Sequence, residues 1–183
     1  MVYLFLADGF EEIEALTPVD LLRRAGVEVV TVGVTGKTVT GSHGIAVSAD
    51  VSADEALAML KGGKSPEMIV LPGGMPGAAT LDASSVVDTF IDAAEKANAY
   101  VAAICAAPMI LGKRGLLRGR QATCFPGFEE YLEGATHMDV HTVTDGRYIT
   151  GRAMGAATEF ALSLVKALKG EGAADFLRAA VFA

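Results

Sequence analysis

Short apolar runs of strand length alternate with longer stretches of helical periodicity along the whole chain. That alternation constrains the fold more than any other feature. "VYLFLA" (2–7), "VEVVTVGV" (27–34), "MIVL" (68–71) and "AYVAAI" (99–104) are close to continuously apolar, as strands buried on both faces are. Between them, "EEIEALTPVDLLRRAG" (11–26) carries Ile13, Leu16, Leu21 and Leu22 at helical spacing and stops at Gly26, a good left-handed terminator. Thr17–Pro18 suits a helix start, so a break is expected there. Ser52 and Glu55 stand at capping-box spacing at the head of "SADEALAML". "SSVVDTFIDAAEKA" (84–97), "AAPMILGKRGLL" (106–117), "AATEFALSLVKALKG" (156–170) and "GAADFLRAAV" (172–181) also read as helices, with "FEEYLE" (128–133) a shorter one. "KTVTGSHGIAVSAD" (37–50) reads as an antiparallel hairpin, and "VHTVTDGRYIT" (140–150) as a second with Asp145–Gly146 in its turn. Strands alternating with helices give βαβ units. The expected fold is a doubly wound α/β sandwich, with a mostly parallel central sheet, helices on both faces and a short antiparallel hairpin. No linker, repeat or low-complexity tract divides the 183 residues, so one domain over 1–183 is expected.

Composition excludes several functions. No apolar run approaches the ~18–20 residues of a membrane span, and the first strand is too short for a secretory signal. The chain reads as soluble and cytoplasmic. Its net charge of −7 comes with scattered Lys and Arg, so no basic face for nucleic acid is expected. The two cysteines, Cys105 and Cys124, make neither a disulfide framework nor a CxxC motif. His43, His137 and His141 lack zinc-ligand spacing, so no metal is expected. His43 lies in a glycine-flanked turn and reads as solvated, with contact to a partner subunit's pocket as the lesser alternative.

In doubly wound sheets, sites form at the carboxyl ends of strands. Three unusual segments follow strands here: "DGFEEIE" (8–14), "PGGMPGAATL" (72–81) and "CAAP" (105–108). Cys105 stands where a strand turns sharply into a helix. Ala103, Ala106 and Ala107 are small enough to permit a nucleophile elbow. The helix N-terminus behind Cys105 is expected to stabilise a thiolate, against the common alternative of an inert buried cysteine. Glu11 and Glu12 read as solvated or as favourable charges at a helix N-terminus. Glu14 shares a helical side with Leu21 and can point inward, although spacing alone favours a surface carboxylate. Beside a thiolate, a buried carboxyl stays protonated and serves as acid or base. The paired glycines of "PGGMPGA" let backbone N–H groups approach an oxyanion, and they are equally compatible with a plain turn. Cys124 reads as a buried thiol rather than a resolving one. Met75 and Met154 flank the presumed site by motif position.

Together, "DGFEEIEALTPVDLLRRAG", "VLPGGMPGAATL" and "VAAICAAPMIL", with "TEFALSLVKALKG" near the end, resemble the DJ-1/ThiJ/PfpI superfamily, close to its protein-deglycase branch. The resemblance covers nearly the whole chain. It implies a flavodoxin-like sandwich, usually a homodimer. It assigns Cys105 as nucleophile and oxidation-prone thiol, with Glu14 as its protonated partner. Gly74 and Ala106 become oxyanion amides with Gly73 beside them, and Asp20, Arg24, His43 and Met154 become pocket or dimer-face residues. The implied activity is a cofactor-free glyoxalase or deglycase acting on reactive carbonyls such as methylglyoxal, or on glycated protein. The alternatives are an oxidative-stress sensor acting through a Cys105 sulfinate, or a redox-linked chaperone. Four departures bear on the site. Ala106 replaces the histidine of the protease-like branch, so a Cys-His peptidase is not expected. Phe125 stands where some relatives place a histidine before the proline. Ala107 and Met154 replace a common glycine and proline.

Overall fold

A computed structural model describes residues 1–183. The strands are β1 (Val2–Leu6), β2 (Val29–Gly33), β3 (Thr38–Thr40), β4 (Ala46–Ser48), β5 (Val51–Ser52), β6 (Met68–Leu71), β7 (Tyr100–Ile104), β8 (Gln121–Ala122), β9 (Thr136–His137), β10 (Thr142–Asp145) and β11 (Tyr148–Gly151). The helices are α1 (Glu12–Arg24), α2 (Ala53–Lys61), α3 (Gly77–Asp82), α4 (Ser85–Ala97), α5 (Pro108–Lys113), α6 (Ala157–Lys169) and α7 (Glu171–Ala180). One seven-stranded sheet runs in the order β10-β11-β7-β6-β1-β2-β5. It is parallel except where β10 pairs antiparallel with β11. The β2-β1-β6-β7-β11 core is the flavodoxin-like order. The β3–β4 hairpin and a small β8–β9 pair lie outside the sheet.

The apolar runs are continuous because both faces of the sheet are covered. Along β1, Tyr3 and Phe5 enter one core with Val87, Phe90 and Ile91 of α4 and Ile110 and Leu111 of α5. Val2, Leu4 and Leu6 enter the other, with Leu22 of α1 and Phe160 and Leu164 of α6. This is the two-residue alternation of a strand, with apolar partners on both sides.

The caps read from the sequence are present. Ser52 and Glu55 form a capping box on α2, and Gly26 follows α1 with φ +70°. The break expected at Thr17–Pro18 is not: α1 runs through Pro18, with Glu11 rather than Thr17 as its cap. An interior proline costs about 3 kcal/mol. Ala15, Val19, Leu21 and Leu22 are buried in the core shared with α6, and each large side chain contributes about 1.5–3 kcal/mol there, which offsets that cost. Helix α5 is shorter than expected and ends at Lys113, after which Gly115 turns the chain at φ +70°. The β10–β11 turn holds Gly146–Arg147 rather than Asp145–Gly146, because Asp145 still pairs with Tyr148. "PGGMPGAATL" is not all loop, since α3 begins at Gly77. No helix is long and apolar enough to cross a membrane.

Candidate functional site

Strands β7, β6 and β1 are neighbours, so "CAAP", "PGGMPG" and "DGFEEIE" leave the same edge of the sheet side by side. After β1 the chain crosses to β2 on one side, and β6 lies on the other, so a crevice opens between β1 and β6. Gly73 and Gly74 line it from one side and the first turn of α1 from the other.

Cys105 follows β7 directly and holds φ +65°, in the left-handed region that costs a side-chain-bearing residue about 1–2 kcal/mol. Its N–H donates to the Gly151 carbonyl at 2.9 Å, and its carbonyl accepts the Phe125 N–H at 2.8 Å. These two bonds hold the strained conformation, and buried Ala106 and Ala107 behind it leave room for the turn. The Gly74 and Ala106 N–H groups point at the Cys105 sulfur and favour its ionised form. Gly74 has φ +85°, and a Cβ there would fall 2.4 Å from the Glu11 nitrogen, so only glycine can present that amide.

Glu14 is fully buried. The Glu11 carboxylate caps α1 by accepting the Glu14 N–H at 2.7 Å, which fixes the turn from which the Glu14 side chain points inward. Its Oε2 accepts the Gly73 N–H at 3.0 Å, and its Oε1 has no hydrogen-bond partner of normal geometry. A Cβ on Gly73 would lie 2.6 Å from both Cys105 Cβ and Glu14 Oε2, so thiol and carboxyl close on the same small space. Burial pushes the Glu14 carboxyl up to about 7, and the Glu11 charge adds to this against hydrogen bonds from Cys105 and Gly73. Burial, followed by the Glu14 charge, pushes the Cys105 thiol well above its usual range. The two groups therefore hold at least one shared proton at neutral pH. Burial and the Glu14 charge thus oppose the thiolate expected at the helix start, while the Gly74 and Ala106 N–H groups favour it. Helix α5 spans six residues, and its N-terminal turn does not outweigh burial.

Two further expectations change. The Gly73 N–H is taken by Glu14, which leaves the Gly74 and Ala106 N–H groups as the two amides facing the Cys105 sulfur. Glu12 stands in the first turn of α1, the helix-N-terminus alternative, but it is not solvated. It is 2 % exposed and clasps the hairpin loop: its Oε1 accepts the His43 N–H at 2.7 Å, and its Oε2 lies 2.8 Å from His43 Nδ1. Burial pushes Glu12 up, but the His43 ring and N–H outweigh it and hold the carboxyl down at about 2. His43 itself is exposed, as expected. Asp20 and Arg24 pair with each other at 2.7 Å on the surface of α1. They sit up to ten residues beyond Glu14, about 15 Å along the helix, and are not brought to the thiol. They line the largest groove of the chain, about 750 Å³, with Leu16, Leu21 and the C-terminal residues Ala180–Ala183.

Met154 is half-exposed, three residues beyond the Gly151 that holds Cys105. Cys124 is buried and its thiol is pushed up to about 11, first by burial. Donor atoms of Glu11, Glu12 and His43 lie within 4.8 Å of one another. Those of Glu12 are already engaged by the hairpin and that of Glu11 by the α1 cap, so the group is an internal clasp. The sequence reading missed both the clasp and the role of Gly73, because each is a contact between segments far apart in the chain.

A model described as the DJ-1/PfpI family matches residues 1–167. Protein dj-1beta of Drosophila melanogaster is 36% identical over 170 residues, which are 91% of this chain and 88% of the fly protein. A protein named deglycase from Pyrococcus abyssi is 31% identical over 179 residues, 92% of this chain and 99% of its own. Among solved structures, an oxidized DJ-1 of Toxoplasma gondii superposes with a TM-score of 0.92 at 31% identity, covering 99% of this chain and 97% of that one.

Proposed function

Because the chain belongs to the DJ-1/PfpI family, we propose that it is a cofactor-free, cysteine-dependent enzyme of the glyoxalase/deglycase type, acting on reactive carbonyls such as methylglyoxal or on their protein adducts. The observation that carries this reading is Cys105 at φ +65° beside a fully buried Glu14 with one unpartnered oxygen. The deglycase name of the archaeal relative supports carbonyl-modified substrates.

With methylglyoxal the reaction begins at the thiol. The thiol proton passes to Glu14 as sulfur attacks the aldehyde carbon, giving a hemithioacetal whose oxyanion meets the Gly74 and Ala106 N–H groups. Glu14 returns that proton to the hemithioacetal oxygen, and its carboxylate then takes the proton from the former aldehyde carbon and delivers it, through an enediol whose hydroxyl proton passes between the two oxygens, to the former ketone carbon. The product is a lactoyl thioester, which water hydrolyses to lactate and free thiol. The net change is addition of one water.

Lactate formation without glutathione tests the reading. Turnover in the wild type that is lost in Cys105→Ala and in Glu14→Gln supports it, and full turnover in Glu14→Gln would falsify the assigned proton carrier.

A second reading is an oxidative sensor. The unpartnered Glu14 Oε1 favours it, because a protonated carboxyl there donates to a Cys105 sulfinate and halts oxidation at that stage. After mild peroxide, intact mass should show a two-oxygen gain on Cys105 that Glu14→Ala loses, with Cys124 unchanged. A homodimer belongs to the same family reading. Ile13 and Ile45 are 48% and 54% exposed on α1 and the hairpin loop, apolar surface suited to a second copy. Sedimentation at twice the chain mass is the expected result.

A further inference from the structure

We propose that Phe125 and Phe128 form an aromatic subsite beside Cys105 that takes an aryl or bulky apolar substituent on the substrate carbonyl, so that arylglyoxals are processed in preference to methylglyoxal. This rests on the reading of Cys105 as a carbonyl-directed nucleophile.

Phe125 is tied to the nucleophile by the backbone. Its N–H donates to the Cys105 carbonyl at 2.8 Å, so its Cα cannot stray from the elbow. It remains 43% exposed, which for a large aromatic ring is a standing loss of burial energy. Its ring meets Phe128 edge-on, at 6.4 Å between centroids and 75°. Phe128 in turn packs on Tyr131 at 5.8 Å, and the Lys113 ammonium sits over the Tyr131 ring at 5.2 Å. One side of Phe125 is thus buttressed by an ordered aromatic row while much of the ring stays open to solvent.

The other segments that hold the nucleophile also present apolar side chains. Met75, 52% exposed, follows the Gly74 whose amide faces the sulfur. Met154, 51% exposed, lies three residues past the Gly151 that accepts the Cys105 N–H. Once sulfur and the Gly74 and Ala106 amides have engaged a carbonyl carbon and its oxygen, the remaining substituent lies among the segments that carry these side chains. A phenyl group gains an offset or edge contact there. A polyhydroxylated sugar chain would have hydroxyls desolvated against groups that return no hydrogen bond.

The test compares kcat/KM for phenylglyoxal and methylglyoxal in the wild type, Phe125→Ala and Phe128→Ala. An aromatic contact changes such a ratio by up to about tenfold. The phenylglyoxal preference is expected to fall by about that factor in Phe125→Ala and by less in Phe128→Ala. An unchanged ratio in Phe125→Ala overturns the proposal.

A second readout needs no turnover. The rates of Cys105 alkylation by 2-bromoacetophenone and by bromoacetone are followed by intact mass, each divided by the rate for glutathione. In both reactions the S–C bond forms, the C–Br bond breaks, bromide leaves and the thiol proton passes to Glu14. The wild type should prefer the aryl reagent and Phe125→Ala should lose that preference. Equal preference in the two proteins overturns the subsite. Turnover of neither glyoxal overturns the proposed reaction and leaves the subsite to be decided by the alkylation ratio.

Discussion

The Gly73 N–H donates to Glu14 Oε2 at 3.0 Å, which holds the acid against the backbone that also packs on Cys105. The glycine is required for space. Its φ is not in the left-handed region, yet an added Cβ would stand 2.6 Å from Cys105 Cβ and from Glu14 Oε2. Gly73→Ala is therefore expected to push acid and nucleophile apart. Overpacking of this kind costs about 1–3 kcal/mol. Thermal unfolding should show that loss, and turnover should fall far more than the change in the folded fraction explains.

Burying Glu14 destabilises the fold at neutral pH. Its carboxyl is raised from 4.5 to about 7, so the folded chain binds its proton more tightly than the unfolded chain does. The stabilising contribution is fully present below about pH 4.5 and is lost as pH rises through about 7. Glu14→Gln removes the titration and keeps the shape. The variant should gain stability over the wild type as pH rises from about 4.5 to 8, by on the order of 2–3 kcal/mol. Urea unfolding across that range checks the sign. A gain that grows toward low pH would refute it.

The elbow at Cys105 predicts a difference between two variants that lack the thiol. Cys105→Ala and Cys105→Gly both remove the thiol, but alanine at φ +65° keeps the left-handed strain and glycine does not. Cys105→Gly should be the more stable of the two by about 1 kcal/mol, read as the difference in their denaturation midpoints.

What the sequence made legible follows the range of the interactions. The strands were readable because sheet burial on both faces writes unbroken apolar runs such as Met68–Leu71. The α2 start was readable because Ser52 and Glu55 bond within one helical turn. The position of Cys105 between strand and helix was readable for the same local reason. Pro18 misled because its local cost is overridden by packing of α1 on α6, which lie at opposite ends of the chain. The proton balance of the site was not readable. Whether Cys105 rests as thiol or thiolate depends on how deeply Glu14 is buried, and residues from β6, β7 and α1 decide that together. Phe125 was visible as a departure from the family pattern, but its bond to the Cys105 carbonyl belongs to the folded chain alone.

Glu12 and His43 give the last prediction, with the opposite pH sign to Glu14. Glu12 is 2 % exposed, and its carboxylate receives the His43 N–H and faces the His43 ring. With burial outweighed by these bonds, its carboxyl is lowered from 4.5 to about 2. The folded chain thus holds the ionised form, and the stability this contributes is present above about pH 4.5 and lost as pH falls toward 2. Glu12→Gln should lower stability at pH 7 by on the order of 2 kcal/mol, and the deficit should shrink steadily below pH 4.5. The effect should also reach the candidate site, because Glu12 opens α1 directly after Glu11, the cap whose carboxylate receives the Glu14 N–H at 2.7 Å. Proton exchange at the Glu14 amide, followed by mass spectrometry or NMR, should quicken in Glu12→Gln at pH 7. Unchanged exchange there, with the stability loss present, would confine the clasp to holding the hairpin and leave the site independent of it.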